Sequence, residues 1–159
     1  MADTKSDGDV YLMRGALLQC NCGSHPRRLN LPEDHGEVVI TEDEYKHPIV
    51  HENDCVIGPT GNIDYFGVCS NLPKNANPIV LTPYVPDGEE TPPAGSIVEG
   101  GKCIPVFPLN KWSDTKEDVR IQDGSDCKVV TTKSFLKCLN GGIITPLSSG
   151  MEYKGEKDG

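Results

Sequence analysis

Seven cysteines and four histidines carry most of the chemistry that this 159-residue chain can offer. Four of the cysteines share a context. Cys20 ends "LLQC", Cys69 ends "YFGVC", Cys103 sits in "GGKCIP" and Cys138 ends "FLKC", each at a strand end or beside a turn. Such edges can converge where strands from distant parts of a chain meet. Four thiolates are what tetrahedral zinc accepts, once each has lost its proton. A second reading treats the four as small buried hydrophobes, which free cysteine often is. They do not form two C-x-x-C knuckles, so spacing alone leaves both readings standing. Cys22 adds a fifth sulfur: residues i and i+2 of a strand face the same way, so Cys20 and Cys22 can reach one ion unless Gly23 has already turned the chain. Cys55 and Cys127 lie in polar stretches and read as structural or partly exposed. His25, His35, His47 and His51 read as solvent-exposed loop residues, with "DHG", Asp34 to Gly36, as the first candidate for a histidine at a metal.

Enzyme templates fail at the residues that matter. "GSIVEGGKC", Gly95 to Cys103, resembles a phosphate loop but has Gly where Lys should be and Cys after the Lys. "HEND", His51 to Asp54, lacks the second His of a zincin. Neither a nucleophile elbow nor the paired motifs of a zinc deaminase are found. No catalytic residue is assigned.

The elements that must position the cysteines are short. Hydrophobic residues make up 36% of the chain, while 17 Gly and 13 Pro disfavour helices and suit many strands joined by turns. The expected architecture is a small, mostly β, single-domain cone or prism with long Pro/Gly-rich loops and little helix. Strands are expected at Val10–Leu18, Glu37–Thr41, Ile63–Val68, Ile104–Phe107, Asp118–Gln122, Lys128–Thr132, Phe135–Cys138 and Gly142–Leu147. "DGSDC", Asp123 to Cys127, joins two of them as a hairpin loop. Trp112 reads as a core or loop-packing residue. "TEDE", Thr41 to Glu44, is a candidate capping box, but Pro48 would end any helix it started. Residues 1–9 read as a flexible arm, 10–150 as the β-rich domain and 151–159 as a polar tail. Within the domain, Pro73, Pro78, Pro83, Pro86, Pro92 and Pro93 mark residues 73–101 as a long loop with one short strand near Ile79–Leu81.

A net charge of −9 without a basic stripe argues against nucleic acid. The polar, acidic start is not a secretory signal, and no apolar run approaches a membrane span. Synthesis in the cytoplasm is therefore expected, where thiols stay reduced and seven cysteines point to metal more than to disulfides.

Four phrases, "RGALLQCNCGS", "NIDYFGVCSN", "KCIP" ahead of a Trp, and "SFLKCLNGGIITPLSSG", occur in that order. In this the chain resembles the PAAR-like proteins, relatives of the Pro-Ala-Ala-Arg repeat proteins that tip contractile injection machines. The likeness runs from about Met13 to about Gly150; the tetrapeptide itself is absent, as befits the PAAR-like branch. The resemblance implies a pointed β cone whose base sits on a trimeric spike protein of a type VI secretion system or a related injection particle. It also implies one structural zinc near the apex, carried over by position to Cys20, Cys69, Cys103 and Cys138. The implied function is non-enzymatic: to cap and sharpen the spike, aid membrane puncture and carry effector cargo. Contact with the target membrane is then transient, and the protein leaves the cell with the particle. The alternative is a cytoplasmic zinc-dependent hydrolase, which needs a water-activating Glu or His beside the thiolates.

Overall fold

Frequent glycine and proline keep every regular element short. The structure, a computed structural model, describes residues 5–6, 9–32, 38–40, 45–73, 75–86, 88–120, 127–153 and 156–157. No helix occurs among them. Thirteen strands pair into five small antiparallel sheets, so the chain is mostly β, as its composition requires.

The largest sheet joins the two ends of the domain. It holds β3 (Leu17–Cys20), β4 (Arg27–Arg28), β11 (Leu136–Lys137) and β12 (Ile143–Pro146), in the order β11-β12-β3-β4. Cys20 lies opposite Ile144, which in turn lies opposite Leu136. Because β12 runs against both neighbours, β3 and β11 run the same way. They deliver Cys20 and the following Cys138 to one edge of the sheet. In β3 burial alternates, with Leu18 and Cys20 inward and Gln19 outward, the period expected of a half-buried strand. The expected first strand Val10–Leu18 is shorter than predicted, because a turn at Arg14–Gly15 interrupts it and Gly15 adopts φ +88°.

The other four sheets among the described residues are smaller. β1 (Lys5–Ser6) pairs with β2 (Asp9–Val10). β5 (Val38–Ile40), β6 (Tyr45–Pro48) and β13 (Glu156–Lys157) make a three-stranded sheet, so the tail returns to the body. β9 (Lys116–Arg120) pairs with β10 (Lys128–Val129), the expected hairpin; its loop, like the candidate capping box, lies outside the described residues. β7 (Pro78–Leu81) pairs with β8 (Val98–Gly101), making a hairpin of the Pro-rich excursion.

Two expected strands do not form ladders. Ile63–Val68 contributes only isolated bridges, Ile57↔Ile63 and Val68↔Lys102, because Gly67 at φ +69° breaks the extension. Ile104–Phe107 stays unpaired because Pro105 has no N–H to give a ladder. Its burial still alternates: Cys103, Pro105 and Phe107 face in, Ile104 and Val106 face out.

The main core gathers Leu12, Ala16, Leu18, Leu29, Val50, Ile63, Phe66, Trp112, Val130, Leu136 and Ile144 around Cys20, Cys69 and Cys103. Trp112 is fully buried and donates from Nε1 to the Asp54 carbonyl at 3.0 Å. A second cluster holds Met13, Val39, Ile49 and Val129, Val39 coming from the three-stranded sheet.

Candidate metal centre

The four predicted cysteines arrive from four segments. Cys20 ends β3, where Gly23 N–H donates to its carbonyl at 2.9 Å and closes a turn. Cys69 is bridged to Gly23 and donates its N–H to Gly101 O at 2.8 Å, which fixes it to the end of β8. Cys103 follows β8; its N–H meets Gly67 O at 2.7 Å, and its carbonyl accepts Phe66 N–H at 2.8 Å. Cys138 follows β11 and donates to Gly142 O at 2.9 Å across the closing turn.

The sulfurs converge. The Cys103 thiol shares hydrogen bonds with both Cys20 and Cys69. Cys22 and Cys138 pack against the same core. Two glycines admit this crowding. A Cβ on Gly142 would stand 2.6 Å from Cys20 Sγ, and one on Gly23 would stand 3.3 Å from Cys103 Sγ and 2.6 Å from Phe66 O.

Several sulfurs are held as acceptors. Cys138 Sγ accepts the backbone N–H groups of Val106 and Asn140, each at 3.4 Å. Cys22 Sγ accepts from Asn71 Nδ2 at 3.1 Å, and Ser70 N–H donates to Cys22 O at 2.8 Å. Hydrogen bonding to the charged form favours that form. The Cys103 hydrogen bond, helped by the N–H groups of Cys22 and Gly23 and opposed by burial, brings Cys20 down to about 6. Cys103 is pushed up by the same bond, then by burial and by the charges of Cys20 and Cys69. Burial raises Cys22, and the charges of Cys20, Cys69 and Cys138 raise it further.

Among the described residues, no group of three or more His, Cys, Asp or Glu side chains is placed so that it could hold a metal ion. The donor chemistry of the cysteines is nonetheless the kind a thiophilic ion takes: soft sulfurs, with N–H donors aimed at Cys138 and Cys22.

The remaining candidates fall elsewhere. Two histidines expected in solvent are buried: His47 is 1% and His51 7% exposed. Non-local pairing accounts for this, since His47 lies opposite Val39 and His51 is bridged to Val129. His25 is half-buried, and its Nε2 donates to Thr82 O at 2.7 Å. "DHG" lies outside the described residues. Cys55 and Cys127 are buried; burial pushes Cys55 up to about 11, and Cys127 Sγ accepts Asn53 Nδ2 at 3.2 Å. Sequence reasoning missed Ser70 and Asn71. Only their position after "GVC" could have pointed to them.

Fold and site define a small, mostly β domain in which the two ends and the middle of the chain bring thiols together. Its family follows: the family described as a domain of unknown function, DUF4280, matches residues 12–150, and the chain belongs to it. No curated protein and no solved structure matches.

Proposed function

We propose that this protein is a PAAR-like, non-enzymatic tip of a contractile injection system, stabilised by one structural zinc. The observation that carries the proposal is the convergence of the Cys20, Cys69 and Cys103 thiols, with Cys138 beside them, from separated segments of a mostly β chain. The four phrases that resemble PAAR-like proteins all fall in or at the edge of the family region, residues 12–150. Cys20, Cys69, Cys103 and Cys138 would hold the ion, and its role when bound is to cross-link their segments. The N–H groups of Val106 and Asn140 orient Cys138, and those of Cys22 and Gly23 orient Cys20. A narrow domain buries little apolar surface, so a cross-link supplies stability that the core does not.

In this proposal the base sits on a trimeric spike protein, effector cargo is an optional passenger and the membrane is met only during puncture. Nucleic acid has no part, and the chain is made in the cytoplasm and leaves it with the particle. The test is co-expression with a trimeric spike, followed by size exclusion and elemental analysis. One zinc per chain and co-elution with the spike are expected. A zinc-free chain that never co-elutes would overturn the proposal, and inhibitor-sensitive hydrolysis by the zinc protein would favour the hydrolase.

A further inference from the structure

Leucine stands at the tip of two tight turns, where polar residues are usual. Asn110 N–H donates to Phe107 O at 3.2 Å and leaves Leu109 at the crest of one turn. Gly141 N–H donates to Cys138 O at 3.0 Å and leaves Leu139 at the crest of the other. These are the two most exposed large apolar side chains among the described residues, at 65% and 69%. The turns are neighbours, since Leu139 N–H donates to Val106 O at 2.8 Å. Val106 is exposed as well, and so is Ile143, which lies opposite Lys137.

Charge sets the same face apart. Residues 100–113 and 127–151 hold no Asp or Glu, although the chain has 24, and they carry five lysines. The fold joins these segments through the Ser113↔Phe135 bridge and the hydrogen bond from Leu139 to Val106. Lys111 and Lys137, both exposed, stand two residues from Leu109 and Leu139. A chain with a net charge of −9 thus has a locally cationic face. The sequence shows no basic stripe because the two segments meet only in the fold.

We propose that the Leu109 and Leu139 turns dock on an anionic lipid bilayer, the leucines entering the acyl boundary while Lys111 and Lys137 meet lipid phosphates. Apolar side chains that stand off the body need no matched groove in a bilayer, and they gain by leaving water there. Lysines beside them are drawn to the negative surface. Nucleic acid would use the lysines and leave the leucines in water. The acidic remainder of the chain is repelled, so the approach is by this face. The proposal gives a surface to the membrane contact named above, and it needs neither zinc nor spike.

The experiment is flotation of the full chain with vesicles of equal parts phosphatidylcholine and phosphatidylglycerol, beside vesicles of phosphatidylcholine alone. The wild type should float with the anionic vesicles, less so as salt rises, and bind the neutral ones far more weakly. Leu109→Ser and Leu139→Ser are each expected to weaken binding by about tenfold. Both should keep the wild-type melting temperature, because these side chains already stand in water. Lys111→Gln with Lys137→Gln should weaken binding to the anionic vesicles alone. A wild type that does not float overturns the proposal, as does equal binding to neutral vesicles or a double serine variant that floats like the wild type. So does a dimer or spike complex that forms without vesicle binding and is lost in the double variant, which would give the face to a protein. Flotation is read without zinc or spike, so its failure is distinct from failure of the proposed function.

Discussion

Gly142 decides how near the Cys20 sulfur can come to the closing turn of the domain. A Cβ at that position would stand 2.6 Å from Sγ, closer than side-chain carbons approach. Gly142→Ala should therefore displace Cys20, destabilise the protein by about 1–3 kcal/mol and weaken the proposed zinc binding, as thermal melts and chelator competition would show. A variant with unchanged zinc affinity would mean that the Cys20 sulfur can move aside at no cost to the site. This glycine also marks the limit of what was readable residue by residue. The four cysteines stand out in the sequence because each sits at a strand end or beside a turn. Their convergence does not, since it depends on β12 lying between β3 and β11 and on two missing side chains, at Gly23 and Gly142. The histidines fail for a related reason: "YKHPIVHEN" is polar in sequence, but pairing with Val39 and Val129 buries His47 and His51.

Among the elements, the β7–β8 hairpin is the one least legible in advance. Proline density argues for a loop, and "VEGG" lacks the β-branched run of a strand. The strand forms because Gly100 and Gly101 allow close approach. A Cβ at Gly100 would stand 2.7 Å from Val68 Cγ1, and one at Gly101 the same distance from Pro73 O. Strands β3 and β12, by contrast, open on the apolar pairs Leu17–Leu18 and Ile143–Ile144 and are visible at once. The end of β7 is strapped to the body by His25 through Thr82. Its Nε2 must carry a proton to donate to Thr82 O, which leaves Nδ1 to accept the Ser24 hydroxyl at 2.6 Å. Losing this strap should cost about 1 kcal/mol. His25→Ala is thus expected to speed hydrogen exchange in β7 and β8 selectively, while β3 and β12 keep wild-type protection. Uniform exchange across all four strands would show that the hairpin needs no strap.

At the scale of the whole molecule, acid and chelator should act through different groups. Burial lowers His47, Arg14 lowers it further, and Gly150 and Glu152 oppose them; its buried Nδ1 has no hydrogen-bond partner. A histidine whose folded value lies below its unfolded value of about 6.5 contributes stability above that value and loses it as pH falls through the folded one. Between about pH 7.5 and pH 5, zinc-saturated wild type should therefore lose more melting temperature than zinc-saturated His47→Gln; equal losses would place the acid sensitivity elsewhere. Chelation probes the larger question of whether the thiols are a cross-link or only packing. Structural zinc sites in small peptides bind with about 10–16 kcal/mol, against a total stability of about 5–15 kcal/mol for a domain. If zinc ties Cys20, Cys69, Cys103 and Cys138 together, its removal takes away an energy as large as the fold's own margin. Trp112, the single tryptophan, lies in the core beside these cysteines and reports the result. Excess chelator under reducing conditions should shift its emission to the red and lower the melting temperature, and added zinc should reverse both. If the cysteines serve only as small apolar residues, emission and melting stay where they were after the zinc is gone, and Cys103→Ala folds as well as the wild type.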